Sequence, residues 1–361
     1  MDLVKKLPIE FYVLLLPSII ILFVFYITNS LDISFDLKAN IFFGSMTGKT
    51  LFLLLAIMLA GLIGYHTMKI NILDKQKRDE SIDQIFSGLI SCFFLSLAIV
   101  LATITMGVLV KYLFAHSDTA KVINLSHQIM NLDFQIFRIY PSIAIQALGK
   151  YHALEVMMIH SYLQLATFAP IFLLISVINK NAFRKYSLSF FISLAIAWPI
   201  WYISPVIQPG PMYRLNILKT QIPSAIELSM SQYTPTIYNK IFMAKIDKFW
   251  IDPMGKTLSV SNNPSMHVAW GLLLMWYSIM LWPYLGLITI PWCILNVLGT
   301  MYTMQHYGVD VLSGIILALI TIFIVEKLFQ FERRYLNDEY KLLSFFDLIK
   351  DIGERIIPNN S

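Results

Sequence analysis

Long stretches without Asp, Glu, Lys or Arg alternate with shorter polar segments along this chain. Most of these stretches approach the roughly 20 apolar residues that a helix needs to cross the hydrocarbon core of a bilayer. A span in lipid has to be helical, because lipid offers no partner for an unpaired backbone amide. The pattern therefore predicts an all-α, polytopic membrane helix bundle with about eight transmembrane helices. The eight stretches are residues 11–27, 50–68, 85–110, 156–178, 187–204, 267–281, 286–305 and 311–325.

The composition agrees with a membrane environment. Hydrophobic residues make up 57% of the chain, charged residues make up only 14%, and the mean hydropathy is +0.66. Soluble domains are usually closer to half apolar and a quarter charged. These values exclude a disordered protein, a secreted disulfide scaffold and an ordinary cytosolic enzyme. The first stretch has no clear small-residue cleavage site, so we expect it to be retained as a membrane anchor.

Basic residues between the stretches predict the orientation of the bundle. They cluster before the first stretch and after the second, fourth and eighth, which places all four clusters on one side of the membrane. Because basic loops are mostly cytoplasmic, both termini are expected in the cytoplasm. The clustering also accounts for the net charge of +5, so no nucleic-acid partner is expected. The clusters contain Lys5, Lys6, Lys69, Lys75, Lys77, Arg78, Lys180, Arg184, Lys185, Lys327, Arg333 and Arg334.

Two histidines lie at the outer ends of the sixth and seventh stretches. His267 opens the sixth stretch, and His306 stands where the seventh gives way to the eighth, 39 positions later. At about 1.5 Å per residue, this separation allows one helix across a core of about 30 Å and one helix back. Both histidines are therefore expected at the same, extracytoplasmic face. Asp310 follows His306 by four residues, which places the two side chains on one helix face.

These residue types suit phosphoryl transfer. A carboxylate beside a histidine fixes its tautomer and orientation, so His306 with Asp310 is a candidate nucleophile. His267 is a candidate general acid that then acts as general base. A helix N-terminus offers free amides and a positive dipole end to a phosphate, which makes Ser265 and the amide of Met266 candidate phosphate ligands. Such chemistry through a phosphohistidine requires no metal and no cofactor.

The sequence Pro-Ser-Met-His at 264–267, followed by His306 and Asp310, resembles the second and third signatures of the PAP2 superfamily of membrane phosphatases and phosphotransferases. Residues 300–310 are most similar to the branch that contains inositol phosphorylceramide synthase, and sphingomyelin synthases share the same His, His, Asp arrangement. The resemblance covers about residues 260–325. It implies a PAP2-like catalytic core in the C-terminal half, a lipid substrate carrying a phosphate or phosphodiester, and a lipid alcohol or water as acceptor.

Two departures from the family signatures bear on the reaction. Lipid phosphate phosphatases of the superfamily carry Ser-Arg seven and six residues before the nucleophilic histidine, where this chain has Gly299 and Thr300. A Lys-x6-Arg-Pro signature is also missing, and its nearest substitute is the segment 208–214, which ends in Arg214. A single arginine can clamp a phosphate in bidentate fashion, so Arg214 is a candidate ligand, with Lys256 as a second. The missing arginines favour the transferase-like branch.

A second group of polar residues, His152, Glu155 and His160, lies near the start of the fourth stretch. Their spacing spreads them over about 140° of helix circumference and does not match His-Glu-x-x-His. We therefore expect no metal site there. Burial beside polar neighbours is the expected role, with support of the site or contact with the substrate headgroup as the alternative for His152 or Glu155.

The sequence thus predicts three parts. Residues 1–150 form N-terminal transmembrane helices and a first outer loop, 151–330 form the PAP2-like membrane core, and 331–361 form a cytoplasmic tail. The expected function is a lipid phosphotransferase or lipid phosphate phosphatase in a bacterial inner membrane or a eukaryotic endomembrane, with headgroup transfer from a phospholipid to a lipid alcohol favoured. The alternative is a transporter or channel, whose ionisable residues would mark a pathway near mid-span and in related halves.

Overall fold

The computed structural model describes residues 11–27, 118–175, 180–214 and 263–335, with isolated residues at 101–109 and 224–244. All regular structure within these residues is helical, which confirms the predicted all-α class. The α-helices are α1 (Leu16–Ile27), α2 (Thr119–Phe137), α3 (Pro141–Ala144), α4 (His152–Ile175), α5 (Lys180–Ile203), α6 (Met266–Leu281), α7 (Gly286–Tyr302) and α8 (Gly308–Tyr335).

Apolar helices occupy six of the eight stretches read from the sequence, namely the first and the fourth to eighth. Among the described residues, three helical segments are long and apolar enough to cross a membrane: Asn181–Ile203, Pro283–Tyr302 and Gly308–Arg334. Tyr12–Val24 and Met266–Leu281 are shorter apolar helices. The second predicted stretch and most of the third lie outside the described residues. The helices support a membrane protein, while the number of eight spans stays a prediction.

Helix α6 lies at the centre of the described core and packs against α4, α5, α7 and α8. It forms an antiparallel hairpin with α7, because Trp282 ends α6 and the 3₁₀ turn Pro283–Leu285 reverses the chain before Gly286. Proline and glycine break the helix at this turn. The hairpin returns the end of α7 to the level at which α6 begins, so the two histidine positions meet there.

Ion pairs join α5 to α8 at the opposite end of the bundle. Arg184 lies 2.7 Å from Glu332, with both side chains almost completely buried, and Lys185 lies 2.7 Å from Glu326. Both cations also lie over the ring of Phe329. Because α8 rises about 1.5 Å per residue, Glu326 and Glu332 lie about 27 Å and about 36 Å from its first residue. The basic cluster and the histidines therefore lie toward opposite ends of α8, and which end faces the cytoplasm stays a prediction.

Candidate active site

The two histidine rings face each other at one end of the bundle. His267 is the second residue of α6, and His306 lies in the turn between α7 and α8. Their ring centroids are 5.6 Å apart, and the rings are tilted by 58°. His306 is buried, with 4% of its surface exposed, whereas His267 is partly buried. Both rings are thus close enough to reach the same small group.

Asp310 lies beside His306, in the first turn of α8. Its Oδ2 atom is 3.6 Å from Nδ1 of His306, which is an ion-pair distance longer than a normal hydrogen bond. The same Oδ2 accepts a hydrogen bond of 2.8 Å from the backbone N–H of Tyr307. Asp310 is completely buried. A carboxylate in this place favours a proton on Nδ1 of His306 and leaves Nε2 as the nitrogen able to attack.

Backbone hydrogen bonds define the turn that carries His306. The amides of Gln305 and His306 donate to the carbonyl of Thr300 and so close the end of α7. Met304 adopts a left-handed conformation with φ of 53°, and its carbonyl accepts from the amide of Gly210 at 2.8 Å. The turn is therefore held both by its own helix and by the segment that follows α5.

The start of α6 is tied to the start of α8. Ser265 is the N-cap residue of α6, and its hydroxyl accepts from the amide of Val268 at 3.3 Å. The Ser265 amide donates to the carbonyl of Asp310 at 3.1 Å. Asn296 of α7 donates to the carbonyl of His267 at 3.0 Å. These bonds fix the backbone of both histidine segments, and Ser265 serves as a helix cap here.

Tyr162 of α4 is a residue that the sequence analysis missed. Its buried ring stacks on the ring of His267, with the centroids 4.4 Å apart and the planes 27° from parallel. An aromatic face restrains the plane of a ring that stacks on it, and it attracts a positive charge when that ring is protonated. No motif or spacing marks Tyr162, because the contact joins residues more than 100 positions apart.

Asp133 of α2 was missed for the same reason. Its Oδ2 accepts from the amide of Gly308 at 3.2 Å, and its Oδ1 accepts from the amide of Val309 at 2.7 Å. The first amides of a helix have no acceptor within that helix, so Asp133 satisfies two of them at the start of α8. Burial raises the pKa of Asp133 to about 6, against the lowering effect of the two backbone hydrogen bonds.

Helix packing explains why positions 299 and 300 differ from the Ser-Arg pair of lipid phosphate phosphatases. A Cβ atom on Gly299 would lie 2.3 Å from the carbonyl oxygen of Met158, so α7 and α4 approach too closely for any side chain there. Thr300 is completely buried, and its hydroxyl donates to the carbonyl of Val297 at 2.7 Å. The two positions that hold Ser-Arg in lipid phosphate phosphatases therefore serve helix contact in this chain.

The two cationic candidates are placed unequally. Arg214 is the last residue of the π-helical turn Gly210–Arg214, whose first amide donates to the carbonyl of Met304. This bond brings the backbone of the segment beside the turn that carries His306. Lys256 lies outside the described residues. Substrate contact by either residue stays a prediction.

The polar group on α4 connects helices. Glu155 is completely buried and accepts a hydrogen bond of 2.9 Å from the hydroxyl of Tyr302, at the end of α7. His152 lies 3.3 Å from the other carboxylate oxygen, with 73% of its side chain exposed, and His160 is exposed. Within the described part of the chain, no three His, Cys, Asp or Glu side chains are grouped as a metal site would require.

Comparison with known proteins adds one match. The sequence model of the PAP2 superfamily matches residues 127–324, more than half of the 361-residue chain. The matched range contains both histidines, Asp310, Asp133 and Tyr162. No curated protein and no solved structure matches the chain.

We expect Gly299→Ser to destabilise the protein, because its Cβ would overlap the backbone of α4, which cannot rotate away. Overpacking of this kind costs about 1–3 kcal/mol. Gly286→Ala is the matched control, since its Cβ would meet the flexible side chain of Ile279 at 3.2 Å. Thermal unfolding of both variants in detergent measures the difference. Equal midpoints for Gly299→Ser and wild type would show that packing does not exclude a serine there.

Proposed function

The chain belongs to the PAP2 superfamily, and from this premise we propose that it is an integral-membrane lipid phosphotransferase or lipid phosphate phosphatase that works through a phosphohistidine. Membership supports a phosphatase- or phosphotransferase-type enzyme, and the apolar helices support a membrane setting. The observation that carries the finer proposal is the approach of the two histidine rings to 5.6 Å, with Asp310 at 3.6 Å from one of them.

In the first step, Nε2 of His306 attacks phosphorus in line with the bond to the leaving oxygen. The N–P bond forms as the P–O bond breaks, and the leaving oxygen takes a proton from His267. Asp310 stabilises the positive charge that develops on the ring of His306. In the second step, neutral His267 removes the proton of the acceptor hydroxyl, whose oxygen attacks phosphorus and releases His306.

Headgroup transfer from a phospholipid to a lipid alcohol is the favoured reaction. A phosphate monoester approaches two negative charges near neutral pH, whereas a phosphodiester carries one, so the monoester needs more cations around it. Gly299 and Thr300 supply no cation where lipid phosphate phosphatases carry arginine. This difference favours a phosphodiester donor, and the burial of His306 favours a lipid hydroxyl over water as acceptor.

We expect replacement of each histidine to affect turnover and the phosphoenzyme in a different way. His306→Ala should abolish turnover and the covalent phosphoenzyme, because the attacking nitrogen is gone. His267→Ala should lower turnover of a lipid phosphoester by about 10²–10⁴-fold through loss of proton transfer. Its defect should shrink with a p-nitrophenyl phosphoester, whose leaving oxygen needs little protonation. Asp310→Asn should fall between the two.

Rapid-quench trapping of an acid-labile, base-stable phosphoenzyme is the measurement. Accumulation of this species in His306→Ala, or its loss in His267→Ala alone, would show that the roles are reversed. Exchange of headgroups by purified protein without any gradient separates this function from that of a transporter.

We expect the ring of Tyr162, and not its hydroxyl, to support His267. Tyr162→Phe keeps the stack and should retain turnover, whereas Tyr162→Leu should lower it by about 2- to 30-fold, the range that corresponds to a cation–π contact. The Tyr162→Leu defect should shrink with the p-nitrophenyl ester, as for His267→Ala. A larger loss in Tyr162→Phe than in Tyr162→Leu would instead assign the role to the hydroxyl.

We expect the histidine end of the bundle to be extracytoplasmic, because the basic clusters place both termini in the cytoplasm. With Cys92 and Cys293 replaced by alanine, Asn262→Cys should react with a membrane-impermeant thiol reagent in intact cells. Arg334→Cys, at the other end of α8, is the matched control and should react only after the membrane is opened. The reverse pattern would show that the predicted orientation is wrong.

A further inference from the structure

Three consecutive amides at the start of α8 are held by two carboxylates. Asp310 accepts a hydrogen bond from the amide of Tyr307. Asp133 accepts hydrogen bonds from the amides of Gly308 and Val309, one through each carboxylate oxygen. Asp310 thus has its carboxylate between the Tyr307 amide and the ring of His306. Asp133 comes from α2, 175 residues before Gly308. Helix α2 therefore supplies acceptors that α8 does not supply for itself.

The contact between α2 and α8 is closely packed. A Cβ atom on Gly308 would lie 2.6 Å from the ring of Phe137, 2.7 Å from Pro141 and 3.0 Å from Oδ1 of Asp133. Only glycine allows the backbone to approach the carboxylate so closely. Since Asp133 is completely buried, water does not replace it as an acceptor for these two amides.

Loss of Asp133 would change what surrounds Asp310. The amides of Gly308 and Val309 would then be buried without their present acceptor, which is costly for a backbone group. The carboxylate of Asp310 is the nearest charged acceptor within the same turn of α8. Turning toward those amides would take it away from Nδ1 of His306, which it now faces at 3.6 Å.

We propose that Asp133 is a positioning residue for catalysis, which caps α8 so that the carboxylate of Asp310 stays directed at His306. This role rests on the proposed function, because it acts through the phosphohistidine residue. Among the described residues, Asp133 contacts neither of the two catalytic histidines, so it acts on the reaction through its hydrogen bonds to α8. Loss of the role should lower kcat and leave KM for substrate nearly unchanged.

Protonation of Asp133 provides a second readout. Burial raises its pKa to about 6, and the charge of Asp310 contributes to the rise. The other titratable groups near it among the described residues are Tyr140 and Tyr307. Asp133 therefore loses its negative charge as pH falls through about 6, and the cap on the two amides weakens.

Ionisation of Asp133 is expected to lower the stability of the folded protein while it raises kcat. The pKa of Asp133 in the folded protein lies above 3.8, the ordinary value of an aspartate, so the folded protein binds the proton more tightly than the unfolded chain does. Stability contributed by this group is present below pH 3.8 and is lost as pH rises toward about 6. Over the same window the ionised carboxylate forms and kcat should rise. A residue with a purely structural role would not show this opposition.

The test compares Asp133→Asn with Asp118→Asn in purified full-length protein, with a p-nitrophenyl phosphodiester as the probe. Asp118 stands just before α2 and caps the exposed N-terminus of that helix. Its replacement also removes a carboxylate helix cap, but not the one at the start of α8. Asp133→Asn should lower kcat by about 10- to 100-fold, the range associated with small misplacements of a catalytic group. Asp118→Asn should keep kcat, KM and the pH profile of wild type.

Two further results are expected for Asp133→Asn. In the plot of kcat against pH, the rise near pH 6 should disappear for this variant. Its thermal midpoint should also no longer fall as the pH is raised from 3.8 to about 6. Hydrogen exchange of wild-type protein needs no variant: the protection factors of the Gly308 and Val309 amides should fall when the pH is lowered through about 6. This measurement decides the capping contact even when a variant does not fold.

The outcomes separate the two proposals. A wild-type kcat and acid limb in Asp133→Asn would overturn the positioning role while the proposed function stands. Unchanged protection of the two amides through this pH range would overturn it as well. Absence of any phosphoenzyme on His306 in wild-type protein would overturn the proposed function itself, and that result does not depend on Asp133.

Discussion

Burial of the start of α8 is the constraint on which the site depends. The first amides of a helix have no acceptor within it, and a buried amide left unpaired costs about 1–3 kcal/mol. Here the carboxylates of Asp310 and Asp133 provide the acceptors. Helix α8 therefore begins where α2 meets it, and this point also determines where His306 stands, two residues before the helix.

Backbone hydrogen bonds connect the start of α8 to the rest of the site and fix their relative positions. The carbonyl of Asp310 accepts from the amide of Ser265, which caps α6 just before His267. Tyr162 of α4 and Asn296 of α7 then hold His267 through its ring and its carbonyl. Both histidine segments are thus held by helices other than their own, and fixed geometry of this kind is what lowers the barrier of a transfer reaction.

Close helix contact also limits which side chains α7 can carry at positions 299 and 300. Gly299 allows α7 to touch the backbone of α4, and Thr300 is buried beside it, so neither position presents a cation. A site with fewer cations holds a singly charged phosphodiester more readily than a monoester with nearly twice the charge. In the proposed function, this packing favours a phosphodiester substrate.

The sequence by itself determined the helical class, the membrane setting and the meeting of His267 with His306, because stretch length, helix rise and the Trp282 turn are local properties. Asp310 lies beside His306, as its spacing of four residues predicted, but His306 stands in the turn before α8 and not on the same helix. Only the tertiary structure decided what holds these groups: Asp133 lies 175 residues from Gly308, and Tyr162 lies on a helix separate from that of His267. Neither contact leaves a periodic signal, because it arises from how the faces of distant helices pack together.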